Sequence, residues 1–292
     1  MGQRERLDDT AEWHVNRIQL SRASWGSYTL QMGRIMAMAL VLTASVLWAA
    51  PAGATHVPKV AIVYGDSLTW ESTPDLIADA NLHPTISVQY HSFPATAPCV
   101  WAQWLPADLA QFHPAVITIE SAGNGFNSQA TCMVDGNGIP LADGSPGFFA
   151  NYTASLTTLF SEASAAGTKV EFFEGPPMLD PTRNADVIQV AQIAQSLAAH
   201  YPGVTVSTAP RLTVSSHGAY VPYMHCLTIE TAAEGCVNHQ IAIRTTITGP
   251  QQGLHFCPGG LSATWPGLCA TYSSGEYRWA KATMKAVEAA LR

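Results

Sequence analysis

Lys59-Val60-Ala61-Ile62-Val63-Tyr64-Gly65-Asp66-Ser67-Leu68 is the stretch on which the reading of this 292-residue chain turns. Its first six residues form a short, β-branched apolar run with no turn former, and a glycine follows at once. That is the pattern of a strand buried on both faces and ending in a tight turn. Runs of the same kind recur at residues 85–90, 115–120, 169–174 and 204–208. Between them lie segments of helical length, 101–111, 149–166 and 185–200, with apolar residues spaced by three and four, and a last helix is expected over 276–291. Strand alternating with helix predicts a parallel sheet with right-handed crossovers and helices on both faces. Residues 209–275, rich in Gly, Pro, Cys and His, show no clear period and read as a long loop region.

Composition narrows the function classes. The chain is 47% apolar and 12% charged, enough to bury a sizeable core, and its formal charge of -7 offers neither nucleic acid nor an anionic membrane an electrostatic footprint. Residues 1–54 read apart from the rest: Arg34 precedes an uncharged apolar run over 35–50, followed by Ala52-Gly53-Ala54. That is a secretory signal pattern with cleavage after Ala54, Met32 or Met36 being alternative starts. The run is shorter than the roughly 20 residues a spanning helix needs, so no stable membrane span is expected after cleavage. Residues 55–292 form one domain. All six cysteines, Cys99, Cys132, Cys226, Cys236, Cys257 and Cys269, lie in it. An even count in an exported chain points to disulfides, and the grouping favours Cys99 with Cys132, Cys226 with Cys236, and Cys257 with Cys269. With no C-x-x-C pair, no metal site is expected.

In open α/β sheets ligands bind beyond the carboxyl ends of the strands. There the first strand delivers Gly65-Asp66-Ser67, a serine on a strand-to-helix turn whose backbone N–H can face a developing oxyanion. In isolation, Asp66 and Ser67 would equally make a plain helix cap. The third strand runs into Ser121-Ala122-Gly123-Asn124, bringing an amide to the same edge, with Asn127 as a rival. The second strand leads into Ser92-Phe93-Pro94-Ala95-Thr96, where a backbone N–H is a third potential donor. Late in the chain, Gln252-Gly253-Leu254-His255 places a histidine before the last helix, where it can deprotonate a serine. His217, His225 and His239 compete for that role.

Together these blocks resemble the SGNH (GDSL) hydrolases: Gly-Asp-Ser-Leu at 65–68, Gly123-Asn124, and Gly253-Leu254-His255, in family order and spread over most of residues 55–292. The resemblance implies a flavodoxin-like three-layer α/β/α fold with a central five-stranded parallel sheet. It also implies Ser67 as nucleophile, His255 as base, and an oxyanion hole built from the Ser67 N–H and the Asn124 amide. The family's second-block glycine falls at Pro94 or Ala95, and proline has no N–H, so Ala95 is the candidate donor. Gln252 stands where the family usually has the aspartate that orients the histidine.

The expected activity is two-step hydrolysis of a carboxylic ester of a lipid, glycan or small molecule, with no cofactor. Two alternatives stand beside it: transfer of the acyl group to another hydroxyl, and, because Gln252 replaces an acid, non-catalytic binding of an acylated glycan or lipid. Trp70, Trp101, Trp104 and Trp265 could line an apolar cleft, but residues of this kind more often support a core.

Overall fold

A computed structural model describes residues 57–249, 252–260 and 269–292. The signal-like segment, its expected cleavage site, the boundary at 54 and Trp265 lie outside the described residues.

Five parallel strands form the central sheet: β1 (Lys59–Gly65), β2 (Ile86–Ser92), β3 (Val116–Glu120), β4 (Lys169–Phe173) and β5 (Val204–Ser207), in the order β2-β1-β3-β4-β5. This is the flavodoxin-like order, and the expected fold class is the one observed. Alternation along β1 decides which layer each side chain joins. Ile62 and Tyr64 face Trp101, Leu105, Phe148, Tyr152 and Phe160, which belong to α3 (Pro98–Phe112) and α4 (Pro146–Ala165); α5 (Pro181–Ala198) packs beside α4. Ala61 and Val63 face the other way, toward α2 (Thr73–Ala80) and α7 (Ser274–Ala290), meeting Leu76, Met284 and Val287. Each large apolar side chain fully removed from water in these layers contributes roughly 1.5–3 kcal/mol before entropy is counted.

Helix starts carry a local signal. Pro98, Pro146 and Pro181 sit in the first turns of α3, α4 and α5, where an N–H would lack a partner anyway, and Ser145 and Asp180 cap the latter two. Strand β2 runs two residues further than the apolar run suggested. Gly65 pairs in register with Ser92, so β1 and β2 end level, and Phe93 N–H donates to the Gly65 carbonyl at 3.1 Å.

Residues 209–275 are not one structureless loop. They contain α6 (Ala209–Thr213), a 3-10 turn (Ala232–Glu234) and an antiparallel pair, β6 (Tyr223–His225) with β7 (Gln240–Ala242). Strands of three residues are too short to show a period, which is why the sequence hides them. The three cysteine pairs are those the grouping suggested, Cys99–Cys132, Cys226–Cys236 and Cys257–Cys269. Among the described residues no helix is long and apolar enough to cross a membrane.

Candidate active site

Immediately after β1 the chain turns into α1 (Ser67–Glu71), a single helical turn. Asp66 is its N-cap. Fully buried, it accepts from Leu68 N–H at 3.1 Å through one oxygen, and from Ala122 N–H at 2.7 Å and the Asn124 amide at 3.1 Å through the other. The capping reading holds, and the cap does more than cap: one carboxylate ends the strand, starts the helix and grips the loop after β3. Ser67 is left half-buried at the mouth of the turn.

Around it stand the expected donors. Ala95 adopts φ +60°, the left-handed region, and is one of five non-glycine residues there among the described residues. Strain of this kind persists where surroundings over-determine it, and it clusters at functional sites. Asn127 explains how the strain is held: its amide donates to the Ala95 carbonyl at 2.9 Å and to the Gly125 carbonyl at 2.8 Å. Both protons of Asn127 are therefore committed to a loop staple. Asn124 gives its two to Asp66 and to the Thr96 carbonyl at 3.0 Å, while its backbone carbonyl accepts from the Tyr152 hydroxyl at 2.9 Å. Among the described residues, no hydrogen bond is made by the N–H groups of Ser67 or Ala95.

His255 lies on a loop fastened at every residue. Gly253 N–H donates to the Thr245 carbonyl at 2.9 Å, Thr245 N–H donates back to the His255 carbonyl at 2.8 Å, and the Ser273 hydroxyl donates to the Phe256 carbonyl at 2.7 Å. Gly253 has φ +70°, and a Cβ there would come within 2.4 Å of Leu179 Cβ, so only glycine fits. Arg244, wholly buried, donates to the Leu254 and Pro177 carbonyls at 3.2 and 2.7 Å and lies over the Phe256 ring. Burial pulls its guanidinium down to about 10, still cationic at neutral pH.

The ring of His255 points inward, 6% of the residue being exposed, and its Nδ1 hydrogen-bonds the carboxylate of Glu71, which has no exposure at all. The second Glu71 oxygen accepts from Phe256 N–H at 2.9 Å. A carboxylate oxygen at Nδ1 calls for a proton there, which leaves Nε2 as an acceptor. Glu71 stands four residues after Ser67. That spacing places both on one face of α1, one turn apart. No hydrogen bond joins Ser67 to His255 among the described residues; such bonds commonly tighten only when substrate binds.

Sequence reading did not find Glu71, and it assigned the orienting role to Gln252. The structure separates Gln252 from the imidazole. It is exposed, its N–H donates to the Gly249 carbonyl at 3.0 Å, and its side chain lies with Asp180 and Arg183 in a small surface cleft. The positive φ of Gly253 turns the chain between Gln252 and His255. His217, His225 and His239 are all exposed, so His255 is the buried, carboxylate-bound member of the four. Trp101 is fully buried in the core, and Trp104 packs edge-on against Phe93 and His91.

No protein-family model matches the sequence, and no curated protein matches it. Similar chain courses occur among solved structures. One is a protein described as an acylhydrolase from Bacteroides fragilis NCTC 9343, with TM-score 0.43 and 15% identity over 81% of this chain and 91% of the other. Another is the acetylxylan esterase Axe2 from Geobacillus stearothermophilus, at 0.40 and 12% over 56% and 87%. A third is the esterase EstA from Pseudoalteromonas sp., at 0.35 and 17% over 51% and 77%. At such identities the chemistry has to be read from this chain's own residues.

Proposed function

We propose that this chain is a serine esterase of the SGNH kind, with Ser67 as nucleophile, His255 as general base and Glu71 as the acid that orients the base. One observation carries the reading: a buried carboxylate, one helical turn beyond a serine at the mouth of a strand-to-helix turn, holds the Nδ1 of a buried histidine. Ser67 Oγ attacks the ester carbonyl while His255 Nε2 takes its proton. Glu71 keeps the imidazole in the required tautomer and offsets the imidazolium charge as it forms. The Ser67 and Ala95 N–H groups donate to the oxyanion, and Asn124 joins them by exchanging its bond to the Thr96 carbonyl. His255 then protonates the leaving alcohol, and water, activated by the same imidazole, releases the acid.

With Glu71 in place, the substitution at Gln252 no longer argues for a non-catalytic binding protein. Three disulfides support the further reading that the protein is exported, consistent with the signal-like segment.

The test is hydrolysis of p-nitrophenyl acetate and butyrate by the purified protein, with Ser67→Ala and His255→Ala alongside. A fluorophosphonate probe serves as an independent readout. Labelling of the wild type and not of Ser67→Ala, with turnover lost in both variants, supports the assignment; turnover that survives Ser67→Ala overturns it.

A further inference from the structure

Below the nucleophile turn lies a second buried carboxyl group that the mechanism does not use. Glu120 ends β3, is 1% exposed, and accepts from the Thr69 hydroxyl at 3.0 Å through one oxygen. Its other oxygen, Oε1, is buried with no donor among the described residues. Tyr64 pairs with Ile119 across β1 and β3, so the ends of these two strands set the buried Asp66 and Glu120 carboxyl groups beside each other, and each is felt by the other as a hydrogen-bonding neighbour. Two carboxylate oxygens cannot bond each other unless one carries a proton. The donors decide which. Asp66 accepts three N–H groups through both its oxygens, the environment of an anion, whereas Glu120 has only the Thr69 hydroxyl and the Asp66 backbone N–H as donors.

We infer that Glu120 is a positioning residue that stays protonated in the folded protein and donates its Oε1 proton to Asp66, fixing the carboxylate that caps Ser67 and holds Asn124. Burial and the neighbouring Asp66 charge both push Glu120 well above the usual carboxylate range. The other titratable groups facing the pair are Arg244, Tyr152 and His255, and only the first is a permanent cation. Loss of the proton would set two buried carboxylates against each other directly beneath the oxyanion loop.

Sign and window follow from linkage. A carboxyl whose folded pKa lies above its unfolded value contributes stability that is complete below the unfolded value, and that stability drains away as pH rises toward the folded value. Glu120→Gln reproduces the protonated shape, with an amide to donate to Asp66 and a carbonyl to accept from Thr69, but has nothing to titrate. Its Tm should match the wild type near about pH 5 and exceed it by a widening margin toward about pH 9. Infrared spectra at neutral pH should show a protonated-carboxyl component in the wild type, beside that of the buried Glu276, that is missing from Glu120→Gln. The role as positioning residue rests on the esterase reading, and for it Glu120→Gln should keep turnover within about threefold at pH 7 while Glu120→Ala loses far more. A Tm difference that does not change with pH, or identical infrared bands, overturns the shared proton even if the protein proves to be no esterase. A folded but inactive Glu120→Gln overturns the positioning role alone.

Discussion

Glu71→Gln tests the assignment of the acid, and the hydrogen bonds around Glu71 indicate what it should cost. The carboxylate serves two donors at once, the imidazole Nδ1–H through one oxygen and Phe256 N–H, 2.9 Å away, through the other. An amide has one oxygen, so it can serve only one of them. If the oxygen stays with Phe256, the amide N–H₂ faces Nδ1, the histidine moves its proton to Nε2, and the base is gone. In a serine protease triad the same acid-to-amide change costs about 10⁴ in turnover, ~5–6 kcal/mol at 1.4 kcal/mol per factor of ten. If the oxygen instead turns to His255, Phe256 N–H is buried against another donor, and stability falls by about 1–3 kcal/mol. The first arrangement should prevail because it leaves both the amide and Phe256 satisfied. We therefore expect kcat for p-nitrophenyl butyrate to fall ~10³–10⁴-fold with KM little altered, and Tm to change by only a few degrees. Gln252→Ala, measured in parallel, should stay within about twofold, as an exposed side chain outside the machinery. The reasoning is refuted if Glu71→Gln keeps more than about a tenth of wild-type turnover while Gln252→Ala loses its own.

Other outcomes follow from the same contacts. Asn124→Ala should lower kcat by about 10²–10³ through loss of an oxyanion donor, whereas Asn127→Ala should mainly lower Tm; steady-state kinetics with melting curves separate the two. Ala95→Gly relieves the left-handed backbone and should raise stability by up to about 1 kcal/mol in urea titration, with turnover preserved. Removing Cys257–Cys269 by a double Cys→Ser change opens a loop closed over a sequence separation of 12 and should cost about 3 kcal/mol, with turnover falling because Cys257 is two residues from His255. Burial pushes the Glu276 carboxyl up to about 10, so its contribution to stability is lost as pH climbs from the ordinary carboxylate value toward 10. The Tm of Glu276→Gln should accordingly decline less than that of the wild type over that range.

How far the sequence could be read depended on the distance over which each feature is written. Strands β1, β3 and β4 were legible because a run buried on both faces announces itself locally, and the alternation with helices was enough to set the layers. The starts of α3, α4 and α5 came earlier than apolar spacing suggested; Pro98, Pro146 and Pro181 were the available signals. Ser67, Ala95, Asn124 and His255 were singled out by their places after strands or before the last helix, and the structure gathers them at one edge of the sheet. Glu71 escaped because its partner lies 184 residues away, and nothing local distinguishes an acid at the end of a single helical turn from a solvated one. The only hint was the four-residue step from Ser67. The β6–β7 pair escaped because three-residue strands show no period.

In the proposed mechanism nucleophile and acid ride on a single turn of helix, which changes what the late loop must supply. When base and acid share one loop, remodelling that loop puts two functional groups at risk together. In the proposed relay residues 67–71 bring nucleophile and acid, and His255, between β7 and α7, brings the imidazole. The two pieces are bound to each other through Glu71, His255 and Phe256, so redesign of ester preference should carry Gly65–Glu71 and Gly253–Cys257 together as one unit and change only what surrounds them.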